Sequence, residues 1–235
     1  MVNQAPILIT GVGKRIGFAL AKHFLKKGYP VLGTYRTAHP QLSELEGAQL
    51  FAVDFYQQKS IDELITTIRQ EYSSLRAVIH NASDWLPESS DHAPTEIFSR
   101  MMQIHAGVPY QINLALADLL NNSEEGSDII HITDYVSEKG SSKHIAYAAS
   151  KAALSNLTLS FAASLAPKVK VNSIAPSLIM FNPHDDEAYR SKALDKSLLK
   201  ITPGEQEMVD AVEYLMRSQY MTGRTLSLDG GRPLR

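Results

Sequence analysis

The sequence predicts an α/β protein: a parallel sheet, doubly wound, with helices on both faces. Three observations carry that reading. Short β-rich runs recur at "PILIT", "YPVLGTY", "QLFAV", "AVIHN", "DIIHIT", "VKVNSI" and "TLSLD", mostly separated by stretches with helical apolar spacing. Such alternation suits a parallel sheet, because each return to a neighbouring strand lays a helix across one face. The second observation is size. A chain of 235 residues, 44% of them hydrophobic, can bury one large core, and no repeat, low-complexity segment or Pro/Gly/Ser linker divides it. A single domain over 1–235 is expected. The third is the glycine turn "TGVGKRIG" that joins the first apolar run to a helix.

That helix is expected from Ile16 to Lys27, where Ile16, Leu20, His23, Phe24 and Lys27 fall near one stripe and Gly28 supplies the stop. Its amino end points at the turn. Backbone amides at a helix start, together with the helix dipole, attract phosphate, and glycines such as Gly11 and Gly17 let the backbone approach closely. Lys14, Arg15 and Ile16 complete the candidate contact set, with Arg15 standing where such turns often place another glycine. On its own the turn is a weak signal.

The second run adds discrimination. In NAD-binding proteins an acid near this strand end takes the ribose hydroxyls, whereas a cation accommodates an extra phosphate. Here the end reads "GTYRTAHP", with Arg36 and Thr37 and no acid between Pro30 and Ser43, which favours NADPH. After the third run come Asp54 and Phe55, which read either as neighbours of the adenine or, for Asp54, as a helix cap. After the fourth comes "HNASDW", where Asn81, Ala82 and Ser83 face the cofactor or form an ordinary turn.

Tyr-x-x-x-Lys occurs twice beyond the fifth run, as "YVSEK" and as "YAASK". Tyr147 begins the long small-residue stretch "YAASKAALSNLTLSFAASLA", so helical spacing puts Lys151 one turn away on the same face. Tyr135 and Lys139 lead into "GSSK" and read as a loop-borne decoy. A lysine close to Tyr147, and a helix amino end, both favour the ionised phenol and so predict a lowered pKa. Beyond the sixth run, 177–205 carries mixed charge and reads as a substrate lid.

Composition limits the partners. A net charge near −2 gives no basic excess for nucleic acid or an anionic membrane, and zero cysteine excludes disulfides and thiolate metal sites. With no long apolar segment and no signal-like start, a soluble cytoplasmic protein is expected.

The turn at Thr10, "NA" at Asn81, Tyr147 with Lys151, "VNSIAP" at Val171 and "MTGRTLSLDGG" together resemble the short-chain dehydrogenase/reductase family over essentially the full length. The resemblance implies a Rossmann-like seven-stranded sheet and NAD(P)-dependent hydride transfer. It also implies a homotetramer packed through helices around Gly107 to Asn121 and Tyr147 to Ala166, and cofactor contacts at Pro176 and Ser177. Arg15, Asp134 (where most relatives have serine) and the lone Trp85 narrow it to the pteridine reductase branch. In that branch the arginine touches pyrophosphate and pterin, the aromatic stacks on the pterin and the aspartate works beside the tyrosine. An NADPH-dependent reductase of dihydropterins is the expectation. A carbonyl reductase of the same family and a non-catalytic NADPH-sensing regulator stay open beside it. His105 replaces the family's usual relay asparagine, and Ser177 its usual glycine.

Overall fold

The computed structural model describes residues 4–235. Along the chain come β1 (Ile7–Ile9), α1 (Arg15–Lys26), β2 (Val31–Tyr35), a 3-10 turn (Pro40–Glu44), β3 (Gln49–Ala52), α2 (Gln58–Glu71) and β4 (Ala77–His80). Then follow α3 (Pro94–Met102), a π-helical turn (Gln103–Gly107), α4 (Val108–Ala115), α5 (Ala117–Asn121), β5 (Ser127–Ile132) and α6 (Val136–Lys139). The chain closes with α7 (Ile145–Leu165), β6 (Val169–Pro176), α8 (Glu187–Leu194), α9 (Glu205–Arg217), β7 (Thr225–Leu228) and a final 3-10 turn (Arg232–Leu234).

The strands form one 7-stranded sheet in the order β3-β2-β1-β4-β5-β6-β7, every pair parallel. This is the predicted architecture. The order reverses between β1 and β4, and open parallel sheets bind ligands outside the carboxyl ends of the strands at such a point. Register fixes the crevice: Ile9 pairs with Gly33 on one side and Ile79 on the other, so the turns after β1 and β4 leave the sheet side by side.

Helices cover both faces. One core packs α1 (Leu20, Ala21, Phe24) and α9 (Met208, Val212, Leu215) against Ile7, Ile9, Ile79 and Ile130. The other packs α2 (Ile61, Leu64, Ile68), α4 (Ile112) and α7 (Phe161, Ala162) against Leu8, Val78, Ile129 and Val171. Successive residues of β1 thus serve opposite faces, as the strand period of two requires. Each fully buried Leu or Ile contributes roughly 1.5–3 kcal/mol over exposure. The α1 prediction is shifted by one residue, and Gly28 stops the helix at φ 87. Among the described residues no helix is long and apolar enough to cross a membrane.

Buried histidines tie the layers together. His80 Nε2 lies 2.7 Å from Asn113 Oδ1, Asn113 Nδ2 3.1 Å from His131 Nε2, and His131 Nδ1 2.8 Å from Thr158 Oγ1. Burial lowers His80 to about 4 and His131 well below its ordinary value, so both are neutral pegs between β4, β5, α4 and α7.

Candidate active site

A cleft of about 470 Å³ opens at the switch point, lined from the glycine turn at one end to Tyr147 and Lys151 at the other. The turn is held narrow. Gly11 has φ 76, and a Cβ on Gly17 would lie 2.1 Å from the Gly11 carbonyl oxygen. Thr10, which sequence reasoning treated only as the start of a motif, organises it. Its hydroxyl accepts from the backbone N–H groups of Asn81 (3.0 Å) and Ala82 (2.9 Å), while Asn81 Nδ2 donates to the carbonyls of Thr10 and Gly11 at 3.0 Å each. Asn81 therefore shapes the turn with its side chain.

Arg15 answers why a bulky cation stands in a glycine turn. Its φ of 54 is in the left-handed region, which glycine adopts freely and an L-residue at a cost of about 1–2 kcal/mol. That conformation sends the guanidinium across the cleft, where Nη1 donates to Asn182 Oδ1 at 2.5 Å and Nη2 to the Met180 carbonyl at 3.3 Å. A strained residue placed by design at a ligand cleft is a functional signal.

Of the residues singled out from sequence, Gly11, Lys14, Arg15, Ile16, Gly17, Arg36, Thr37, Phe55, Asn81, Ala82, Ser83, Asp134, Tyr147, Lys151 and Pro176 all line the cleft. Asp54, Trp85 and Ser177 are not in its wall. Asp54 instead makes a turn, with Oδ1 accepting from the Tyr56 N–H at 3.0 Å. Ser177 faces β7, its hydroxyl donating to the Asp229 carbonyl at 3.0 Å and its N–H to that of Leu228. Trp85 is 54% exposed, its ring centroid 4.5 Å from that of His144, immediately before α7. The indole thus lies beside the start of the tyrosine helix.

At the β2 end Arg36 does have an acid partner, from a loop far along the chain. Arg36 Nη1 meets Asp84 Oδ2 at 3.1 Å, the Tyr56 hydroxyl donates to the same oxygen at 2.9 Å, and Arg100 approaches it at 3.6 Å. Asp84 and Tyr56 were missed; "HNASDW" gave no sign that its aspartate turns toward β2.

At the other end the Tyr147 hydroxyl donates to Asp134 Oδ2 at 3.0 Å, and the Val136 N–H donates to Oδ1 at 3.0 Å. Lys151, buried, donates to the Ile132 carbonyl at 2.9 Å, and its Nζ is 5.6 Å from the centre of the Tyr147 ring. The lowered tyrosine pKa expected from sequence is reversed here: burial first, then the Asp134 carboxylate, push the phenol well above 10.0. Burial likewise raises Asp134 against the pull of the Val136 N–H and Lys151, and lowers Lys151 to about 8. A protonated phenol beside a carboxyl that readily takes a proton is a store of acid at the cleft's end. The second Tyr-x-x-x-Lys stays apart. Tyr135 lies under the Arg232 guanidinium at 4.5 Å, and Lys139 ends the short α6, a single helical turn where a loop was expected.

Fold and cleft define a dinucleotide-type α/β protein with a tyrosine-lysine pair, and the chain belongs to the short-chain dehydrogenase/reductase family. Residues 11–232 match a family profile described as Enoyl-(Acyl carrier protein) reductase. The chain is 56% identical over 233 residues to dihydromonapterin reductase of Klebsiella pneumoniae subsp. pneumoniae, covering 98% of this chain and 97% of that protein. It is 54% identical to dihydromonapterin reductase of Escherichia coli O6:H1, covering 99% and 98%. Among solved structures, FolM Alternative dihydrofolate reductase 1 from Brucella suis, in complex with NADP, superposes with a TM-score of 0.88 at 23% identity, covering 100% of this chain and 97% of that one.

Proposed function

We propose that the chain is an NADPH-dependent reductase of dihydropterins, converting dihydromonapterin to tetrahydromonapterin and, more weakly, dihydrofolate to tetrahydrofolate. The observation that carries the reading is the Tyr147–Asp134 hydrogen bond at the end of a cleft whose other end is a phosphate-type turn. The names of the relatives above, at more than half identity over nearly the whole chain, support it.

The residues present fit the dinucleotide. The amino end of α1 opens on the cleft, the turn is kept narrow by Gly11 and Gly17, and Arg36 and Thr37 line the wall at the end of β2. Arg36 engages Asp84 through Nη1, which leaves its other guanidinium nitrogens for a 2′-phosphate. Lys151 would hold the nicotinamide ribose. NADPH, when bound, supplies the hydride.

The chain's own part is to place the acceptor and provide the proton. Reducing a carbon–nitrogen double bond needs a proton at nitrogen, and the Tyr147–Asp134 pair holds it at the oxygen atoms best placed to give it. Lys151, with its amine pinned by the Ile132 carbonyl, supplies positive charge behind the phenol. Arg15 is the group for the pyrophosphate and the pterin rim, and 177–205 acts as a lid that Arg15 already reaches through Met180 and Asn182. Trp85, half exposed beside the start of α7, is the aromatic face for the pterin ring.

The chain is proposed to work as a cytoplasmic homotetramer. Tyr110 and Leu114 on α4 and Leu159 on α7 are about half exposed, which supplies an apolar face for such packing.

Mixing purified protein with NADPH and dihydromonapterin tests the function. Cofactor oxidation must exceed that of Tyr147→Phe; equal rates refute the reading. Asp134→Ser then separates it from a ketone reductase, since only pterin reduction needs the carboxyl.

A further inference from the structure

His105 sits where the family places its relay asparagine, in the π-helical turn between α3 and α4, only 1% exposed. Such turns are frequent at functional sites. Both ring nitrogens are engaged by hydroxyls: Nδ1 lies 2.8 Å from Ser150 Oγ, and Nε2 lies 2.8 Å from Ser83 Oγ. With neither nitrogen free, His105 cannot also hold a relay water through its ring.

The hydrogens can be assigned from the surroundings. Ser150 Oγ is 2.7 Å from the Tyr147 carbonyl oxygen, a contact that is favourable only if its one hydrogen points there. Toward His105 the Ser150 hydroxyl must then accept, so Nδ1 carries the hydrogen. Burial, with the nearby Lys151 charge, keeps the ring from taking a second proton. Nε2 is therefore bare, and Ser83 donates to it. The competing acceptor for the Ser83 hydroxyl, the Asp84 carbonyl, is at 3.4 Å. Ser83 lines the cleft, and with its only hydrogen turned inward it offers the cleft an acceptor alone.

We propose that His105 is a positioning residue that locks the Ser83 hydroxyl as an acceptor, making Ser83 a specificity-determining contact for substrates that present N–H groups. This deepens the dihydropterin reading and rests on it. A dihydropterin carries N–H donors along its edge, whereas a ketone or acyl thioester offers only carbonyl oxygens near its reacting carbon, which an acceptor-only Ser83 would repel.

A double-mutant cycle tests it: wild type, Ser83→Ala, His105→Asn and the double variant, each assayed with NADPH and dihydromonapterin. Asparagine keeps a polar group for Ser150 but lacks the second ring nitrogen that Ser83 meets. Each single change should raise KM for the dihydropterin about tenfold, the scale of one hydrogen bond, with a smaller fall in kcat and little change in NADP+ affinity. In the Ser83→Ala background, His105→Asn should add nothing. An undiminished His105→Asn effect there would mean the histidine acts elsewhere and would overturn the proposal. Long-range 1H–15N spectra of the histidine-labelled protein decide the polarity without any substrate. A hydrogen on Nδ1 and a bare Nε2 whose shift moves on Ser83→Ala support the lock, and a hydrogen on Nε2 overturns it. Absence of any dihydropterin reduction by wild type would sink the functional reading, while the spectrum would still decide the state of Ser83.

Discussion

Two carboxyl groups, one buried and one part-buried, mark the two ends of β5, and they live in opposite ways. At the entry, Asp128 is 1% exposed, ion-paired through Oδ2 to Arg76 and through Oδ1 to Lys170 Nζ at 2.7 Å. The same cations reach on to α9: Arg76 Nη2 donates to the Met216 carbonyl at 3.1 Å, and Lys170 Nζ to that of Leu215 at 2.9 Å. Just past the exit, Asp134 has no cation within ion-pair reach among the described residues, only a phenol and a backbone N–H. Both lie on or beside the same strand. Where charge is neutralised the carboxylate fastens β4, β5, β6 and a helix end together; where it is not, burial raises the pKa and makes the group a proton carrier. Architecture and chemistry are thus segregated along one strand, with the working end at the carboxyl edge of the sheet.

The contrast can be tested by exchanging what each group loses. Tyr147→Phe removes the donor to Asp134 and should lower kcat by about 10²–10⁴-fold, the usual contribution of a positioned acid, with the urea midpoint nearly unmoved. Asp128→Ala should do the reverse. Leaving two part-buried cations without their buried anion should cost about 3–5 kcal/mol in urea unfolding, while the protein that remains folded still binds NADP+. Asp134→Asn should cut kcat about 10²-fold yet leave stability equal or higher; a loss as large as that for Asp128→Ala would mean that both carboxyl groups serve the architecture.

A pH series sharpens it further. The folded-state pKa of Lys151 falls from 10.5 to about 8, so its charge is lost as pH rises through about 8, and kcat/KM should fall there. Between about 8 and 10.5 the unfolded chain holds a proton on this lysine that the folded one lacks, so its share of stability rises with pH across that window. Lys151→Met should flatten both trends. The smallest effect is expected at Arg15→Gly, which relieves the left-handed strain and should stabilise the protein by about 1 kcal/mol while weakening NADPH binding in calorimetry.

The sheet, the glycine turn and the Tyr147–Lys151 pair were legible because each is a local pattern: alternation of runs, a strand-turn-helix, a helical spacing of four. Asp134 was legible through resemblance. What escaped reading depends on side-chain direction after folding. Ser177 is held toward β7 by its hydrogen bonds to the Asp229 and Leu228 carbonyls, a direction that no local pattern announces. Arg36 carries no nearby acid in the chain, yet meets Asp84, which the β4 exit loop delivers from 48 residues away. The phenol's pKa went opposite to expectation because the lysine's proximity was readable and the depth of burial was not. No pattern announced the Asp128 network, since an Asp on β5, a Lys on β6 and an Arg just before β4 look like surface charges until the register brings them together.

Arg15 ties the first turn of α1 to Met180 and Asn182, 165 and 167 residues further along the chain. One side chain thereby fastens the start of the fold to the segment that follows its sixth strand, so Arg15→Gly should loosen 177–205 and speed amide exchange there.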